Sequence, residues 1–301
     1  MKILSLGEIL WDILPQSEHL GGAPYNFALH AHNLGHQVCF VSAVGNDRRG
    51  QLALDQMKAA NLITRFVSSS SDYPTGTVAV SLSSSGGPQY QVHRPAAYDF
   101  PSLGPAAINA LLTPPPQWIC YGTLQQTSAT AHQLTLRLLA QAPAARCFYD
   151  VNLRVDSYTP GLVRDLAHRA DVLKLSEEEL PAVQKIFGIS SCSLEQFCRT
   201  SARLFHLEAV CVTRGPQGCS LLLQDEFLEA PGFRIHVVDT IGAGDAFSAA
   251  LVHGLGAGWP ASQVAIFANQ VGALIASRPG GAPHWTVEEA LSLCDANPDR
   301  G

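Results

Sequence analysis

Short apolar runs, separated by segments with helical spacing, dominate the chain. Residues 2 to 7 read as a buried strand ending at Gly7. Residues 23 to 34 read as a helix with Pro24 in its first turn and Gly35 after its end. Residues 36 to 44 form a second strand pattern, closed by Gly45-Asn46-Asp47, and residues 51 to 60 return to helical spacing. The pattern then changes. Residues 75 to 82 and 89 to 93 are rich in β-formers around a Ser/Gly/Pro run, which predicts a hairpin projecting from the main body. From Trp118 the alternation resumes, with strands expected at 118 to 121, 146 to 151, 172 to 175, 209 to 213 and 219 to 223. Helices are expected at 129 to 141, 161 to 169, 177 to 187 and 194 to 207. Residues 246 to 255 and 263 to 277 are apolar on most sides, as buried helices are. This order predicts an α/β fold with a mostly parallel sheet and helices on both of its faces.

Composition narrows the function. The 301 residues are 47% hydrophobic and 15% charged, which suits a globular protein with a sizeable core. The formal net charge is −6, and no Lys/Arg run exceeds Arg48-Arg49, which argues against a general nucleic-acid binder and favours a small-molecule substrate. The opening apolar run is too short for a signal peptide, and no run approaches the roughly 20 residues of a membrane helix. The expectation is a soluble, cytoplasmic protein with no membrane partner. The eight cysteines lack any C-x-x-C spacing and read as reduced core residues. His32 and His36 have i, i+4 spacing but no evident third metal ligand.

The strongest chemical signal is Val238-Asp239-Thr240-Ile241-Gly242-Ala243-Gly244-Asp245-Ala246-Phe247. Gly242 and Gly244 permit a tight turn before a helix, and amides at a helix start suit phosphate oxygens. Asp245 stands at that mouth, where a carboxylate can accept a proton from an attacking hydroxyl. Read alone, it could equally be an N-terminal carboxylate stabilised by the helix dipole. A dinucleotide fingerprint is disfavoured, because Phe247 replaces the third glycine and residues 264 to 266 contain no acid.

The segment Asp239 to Asp245 closely resembles the C-terminal signature of the ribokinase/PfkB sugar kinases. Leu20-Gly21-Gly22-Ala23-Pro24-Tyr25-Asn26-Phe27-Ala28, running to Leu34-Gly35, resembles the N-terminal signature, and Val44-Gly45-Asn46-Asp47-x-x-Gly50 also fits. The resemblance covers nearly the whole chain. It implies one kinase domain over residues 1 to 301, built as a three-layer α/β/α sandwich with a small β lid from segments near 10–20 and 75–95. It also implies ATP and Mg²⁺, with Asp245 as base beside Gly242, Ala243 and Gly244. The lid's edge could pair with a second copy to give a homodimer.

The resemblance places the sugar at Asp12, Gly21, Gly22, Asn26, Arg94 and Arg154. Asp12 could otherwise be a turn residue, Asn26 a solvent-facing helix residue, Arg94 an ordinary loop residue and Arg154 half of a surface ion pair. It places the nucleotide at Asn152, Thr213, Gly215, Gly218 and Asn269. Ser176-Glu177-Glu178-Glu179 stands where the family has N-x-x-E, so Ser176 departs from the pattern. Glu179 would orient Mg²⁺-bound water, or would only be an acid in a helix's first turn. Asp239, with carbonyls near Ser277 and Gly281, would form a K⁺ site, or Asp239 would only shape the loop. Fructose is the favoured sugar, from the segments 7 to 15, 21 to 35 and 94 to 99. Ribose, 2-keto-3-deoxygluconate and a nucleoside are the alternatives. A sugar-binding regulator without turnover is disfavoured by Asp245 and the intact glycine turn.

Overall fold

In chain order the strands are β1 (Lys2–Leu6), β2 (Leu10–Ile13), β3 (Glu18–Gly21), β4 (Gln37–Gly45), β5 (Val67–Ser70), β6 (Gly76–Leu82), β7 (Pro88–His93), β8 (Trp118–Gly122), β9 (Arg146–Asp150), β10 (Val172–Ser176), β11 (Ala209–Thr213), β12 (Cys219–Leu223) and β13 (Glu226–Ala230). The computed structural model describes residues 1–14, 17–82, 88–154, 157–190 and 192–293. The large sheet has the order β13-β12-β11-β10-β9-β8-β1-β4-β5. From β11 to β5 its neighbours are parallel, while β12 and β13 join antiparallel at one edge. The C-terminal ends of β1, β8, β9, β10 and β11 therefore share one rim, where open α/β sheets hold their ligands.

Alternation along the strands feeds two cores. Ile3, Cys120, Phe148 and Cys211 pack on one face under the helices Ala23–Asn33, Ala243–Gly256 and Ala261–Ala276. Their neighbours Leu4, Ile119, Tyr149 and Val210 pack on the other, under Ala129–Gln141, Pro160–His168, Leu180–Phe187 and Leu194–Phe205. Burial on both faces explains why these strands are almost continuously apolar. The predicted α/β sandwich is the observed fold.

A second sheet, ordered β3-β2-β6-β7, brings the segments near 10–20 and 75–95 together over a small core of Leu10, Val78, Ala96 and Tyr98. The hairpin tip expected around 83 to 87 and Pro15 lie outside the described residues.

Several boundaries differ from expectation. The helix expected from 51 starts at Arg48, because Asp47 caps it through Gly50 N–H. The helix expected from 177 starts at Leu180, with Pro181 in its first turn. Residues 176 to 179 instead form a turn around the Glu179 carboxylate, which accepts from Ser176 N–H. The seven described cysteines are free, as expected, and Cys294 lies outside the described residues. Among the described residues no helix is long and apolar enough to cross a membrane, and no three or more His, Cys, Asp or Glu side chains cluster as direct metal ligands. His36 pairs with the ring of His253 instead, at 3.0 Å.

Asp47 also joins the two sheets. Its Oδ1 accepts from Gly50 N–H at 2.8 Å and from the Thr75 hydroxyl at 2.7 Å, and its Oδ2 accepts from Thr75 N–H at 2.8 Å. Burial opposes the charge, but these hydrogen bonds outweigh it and hold the carboxyl below its ordinary range. Asp47→Ala should cost about 1–3 kcal/mol in urea unfolding, the scale of a cap plus a buried hydrogen bond. A depressed native pKa gives stability that is present at neutral pH and lost as the carboxylate protonates. The gap between wild type and variant should therefore narrow as the pH falls into the acid range; a constant gap would refute the charge-assisted tie.

Candidate active site

The helix Ala243–Gly256 begins at the rim, and its first residues decide what can bind there. Gly242 has φ 74°, and a Cβ on it would lie 1.9 Å from the Gly281 carbonyl oxygen, so no other residue fits this turn. The Ala243 amide bonds back to the Thr240 carbonyl at 3.3 Å. The next amides open the helix with no preceding turn to supply acceptors, which leaves them for an anion.

Asp245, one residue beyond this turn, lines a cleft with Glu8, Thr123, Asp150 and Asn152. Its Oδ2 accepts from Asn26 Nδ2–H at 2.9 Å. Burial within the cleft wall pushes its carboxyl up to about 7, and Asp150 adds to this. The Asn26 bond and the charges of Lys174 and Arg154 pull the other way. Asp150 is held by Lys174 Nζ at 3.0 and 3.2 Å and lies 2.9 Å from the Ser248 hydroxyl. Lys174 is buried, yet the surrounding carboxylates overcome the cost of burial and keep its pKa above the ordinary value.

The residues expected for a sugar divide into two groups. Asp12, Gly21, Gly22 and Asn26 come together where β2, β3 and the helix Ala23–Asn33 meet. A Cβ on Gly21 would lie 2.7 Å from Asp12 Oδ2, and one on Gly22 would lie 2.5 Å from the Glu8 carbonyl oxygen. Asn26 is buried rather than solvent-facing. Burial raises the Asp12 pKa, opposed by the charge of Arg154. Arg154 is exposed and donates to Asn152 Oδ1 at 2.6 Å. Its charge reaches Glu8, Asp12 and Asp245 alike. Arg94 differs. Its guanidinium is spent on Asp99, Thr127 and the Leu124 carbonyl, so it anchors its own loop.

The residues expected for a nucleotide lie further along the rim. Asn152, with φ 40°, follows β9, and Thr213, Gly215 and Gly218 form the connection between β11 and β12. Asn269, expected near the nucleotide, is also held by backbone groups. It is buried, and its Nδ2 donates to the Ala230 and Pro231 carbonyls at 3.1 and 3.2 Å, fixing the segment after β13. Further along that segment Val237 and Val238 are exposed. Glu179 accepts from Ser176 and Leu153 amides, so both of its oxygens already brace the ends of β9 and β10. Asp239 accepts from Ile241 N–H at 2.9 Å and Gly280 N–H at 3.0 Å. The Ser277 hydroxyl donates to the Leu274 carbonyl, and the Gly281 carbonyl accepts from His30.

Lys174 and Glu8 escaped the sequence reading. The signal for Lys174 was a charged residue inside the apolar run Val172-Leu173-Lys174-Leu175. Glu8 is buried, burial raises its pKa, and its Oε2 has no hydrogen-bond partner among the described residues.

A model of the pfkB family of carbohydrate kinases matches residues 15–287. The chain is 30% identical to a fructokinase of Klebsiella pneumoniae over 272 residues, covering 85% of each chain. It is 28% identical to a Salmonella typhimurium fructokinase, covering 93% of this chain and 94% of that one. Among solved structures, Xylella fastidiosa fructokinase with bound ATP superimposes with TM-score 0.84 at 24% identity, covering 98% of each chain. The 2-dehydro-3-deoxygluconokinase of Thermotoga maritima gives TM-score 0.85 at 20% identity, covering 98% of this chain and 99% of that one.

Removing one partner of a buried pair strands the other. Lys174→Met should therefore destabilise the fold by about 3 kcal/mol or more in urea unfolding. The double variant Lys174→Met/Asp150→Leu should be less destabilised than the single. If the two are equally destabilised, the ion pair is not what holds this part of the rim.

Proposed function

The chain belongs to the pfkB family of carbohydrate kinases, and we propose that it transfers the γ-phosphate of ATP to a hydroxyl of fructose. The observation that carries the mechanism is Asp245 beside the glycine turn, held by Asn26 and with its carboxyl raised to about 7. The sugar oxygen attacks the γ-phosphorus in line, its proton passes to the Asp245 carboxylate, and the bond to the β,γ-bridging oxygen breaks, releasing ADP. A base that titrates near working pH is well matched to this transfer. The amides of the Gly242 to Gly244 turn receive the γ-phosphate oxygens. Asp12 and Asn26 hold sugar hydroxyls, since an ionised carboxylate accepts and an amide does both. The Thr213 to Gly218 loop and the exposed Val237 and Val238 suit the nucleotide's base and sugar. The small sheet, which carries Asp12, closes over the sugar and excludes water, which limits wasteful hydrolysis.

Mg²⁺, bound with the nucleotide, neutralises phosphate charge. Asp150 and Glu179 would hold it through water, because each carboxylate keeps lone pairs beyond its present bonds and Mg²⁺ sheds water reluctantly. For a monovalent cation, the Asp239 oxygens and the Gly281 carbonyl each accept one N–H bond and keep a further lone pair, so they would be the oxygens to hold it; no step runs through it.

Fructose rests on the fructokinases among the relatives. A second reading follows from Arg154, whose exposed guanidinium and reach toward Asp12 suit a carboxylate-bearing sugar such as 2-keto-3-deoxygluconate. An ATP-consumption assay over fructose, ribose, 2-keto-3-deoxygluconate and a nucleoside decides between them. Fructose should give the highest kcat/KM, and EDTA should abolish turnover. The highest kcat/KM with the keto acid would establish the second reading, and full turnover in excess EDTA would refute the metal-nucleotide mechanism.

Activity should rise with pH through about 7 as Asp245 ionises. Asp245→Asn should lower kcat by about 10² or more, the scale of general-base loss, while ATP still binds to backbone amides. Folding raises this carboxyl's pKa, so its contribution to stability fades as the pH climbs through the folded value. Asp245→Asn should then be no less stable than wild type at pH 8. A near wild-type kcat in this variant with every sugar would overturn the assignment.

A further inference from the structure

The helix Ala23–Asn33 presents Asn26 and His30 one turn apart on the same face. Asn26 addresses the base, Asp245, and His30 addresses the glycine turn from behind. His30 is 1% exposed, and both of its ring nitrogens are engaged. The Trp285 indole N–H can only donate, and it lies 3.0 Å from His30 Nδ1. Nδ1 is therefore the acceptor, and the ring proton sits on Nε2. That Nε2–H donates to the Gly281 carbonyl at 3.0 Å.

This carbonyl sits directly on the turn. It occupies the space that a Cβ on Gly242 would need, at 1.9 Å, and a Cβ on Gly281 itself would meet Asn26 Nδ2 at 3.0 Å. On the far side Asp239 ties the same two loops together through Ile241 and Gly280 N–H. The Gly281 loop thus forms the back wall of the anion-binding turn, and its position is set from two directions.

We infer that His30 is a positioning residue for phosphoryl transfer: its N–H, with its tautomer fixed by Trp285, holds the Gly281 carbonyl against Gly242 and so fixes where the phosphate-binding turn stands at the rim. The inference rests on the kinase mechanism proposed above. It assigns His30 no proton transfer. Burial lowers its pKa to about 4, opposed by the Gly281 hydrogen bond, so the ring is neutral over the working range.

The test compares His30→Leu, which fills the space without a donor, with His30→Gln, which restores one. Both are assayed well below their unfolding midpoints. His30→Leu should lower kcat by about tenfold or more, since small misplacements at a reacting centre are costly, with the fructose KM little changed. His30→Gln should recover most of that loss. The acid limb near 7 should stay in place in both, because Asp245 still sets it.

A binding measurement needs no turnover. By calorimetry, His30→Leu should weaken a non-hydrolysable ATP analogue about fivefold, the scale of one lost hydrogen bond, but leave ADP, which lacks the γ-phosphate, unchanged. A His30→Leu kcat within twofold of wild type, a loss confined to fructose KM, or equal effects on ADP and the analogue would each overturn the inference. If wild type turns over no sugar, the kinase mechanism fails, and the two nucleotide affinities still decide whether His30 sets the turn.

Discussion

Negative charge crowded at the ends of the parallel strands is the constraint on which this molecule depends. Glu8, Asp150, Glu179 and Asp245 converge on one rim, and Lys174 is the buried cation among them. In a poorly solvated site such charges cannot all persist without compensation. Each carboxylate is compensated differently, and the compensation sorts their roles. Asp150 has Lys174 and the nearby Ser248 hydroxyl. Glu179 has two backbone amides. Asp245 accepts from the side-chain amide of Asn26, and burial drives its pKa up to about 7. Of Asp150, Glu179 and Asp245, the last has the fewest of these hydrogen bonds, and it is the one placed beside the glycine turn, where readiness to take a proton suits the proposed base.

How much of this could be read from sequence depends on how local each feature is. The turn from Gly242 to Asp245 was legible because its requirement is local: a positive φ, bare amides and an acid at a helix start. The alternation of strands and helices was legible for the same reason, since two-sided burial leaves its mark on each strand in turn. Asn26 and Asp245 are 219 positions apart, and no local pattern announces that they touch. Arg94 and Asn269 show the same dependence on distant partners. Their residue types suited the roles expected of them, but direction is not written in residue type. Asp99 captures one side chain, and the carbonyls of Ala230 and Pro231 capture the other. Lys174 was visible as a charge in an apolar strand, yet its meaning depends on which acids the fold gathers around it.

The rigid parts and the adaptable parts of the rim are different residues. Asn26, His30, Asp150 and Lys174 lie on regular elements, are largely buried and have their donors or acceptors engaged. Rigid placement of this kind suits phosphoryl transfer, where the protein contributes position and electrostatics more than covalent chemistry. Arg154 lies outside the regular elements, is exposed, and still projects charge onto Glu8, Asp12 and Asp245.

That division has a consequence for how specificity can change. Altering a buried member of the network disturbs both the fold and the reacting geometry, because the same bonds serve both. Altering Arg154 removes no buried partner, so its cost to stability is small. Its field, however, falls on Asp12 and on Asp245 together, the sugar holder and the base of the proposed mechanism. A change there would shift which sugars are held and, in the same step, the pH at which the base is ready. Under that mechanism substrate choice and pH response would be coupled through one exposed side chain, while the carboxylate cluster beneath it stays fixed.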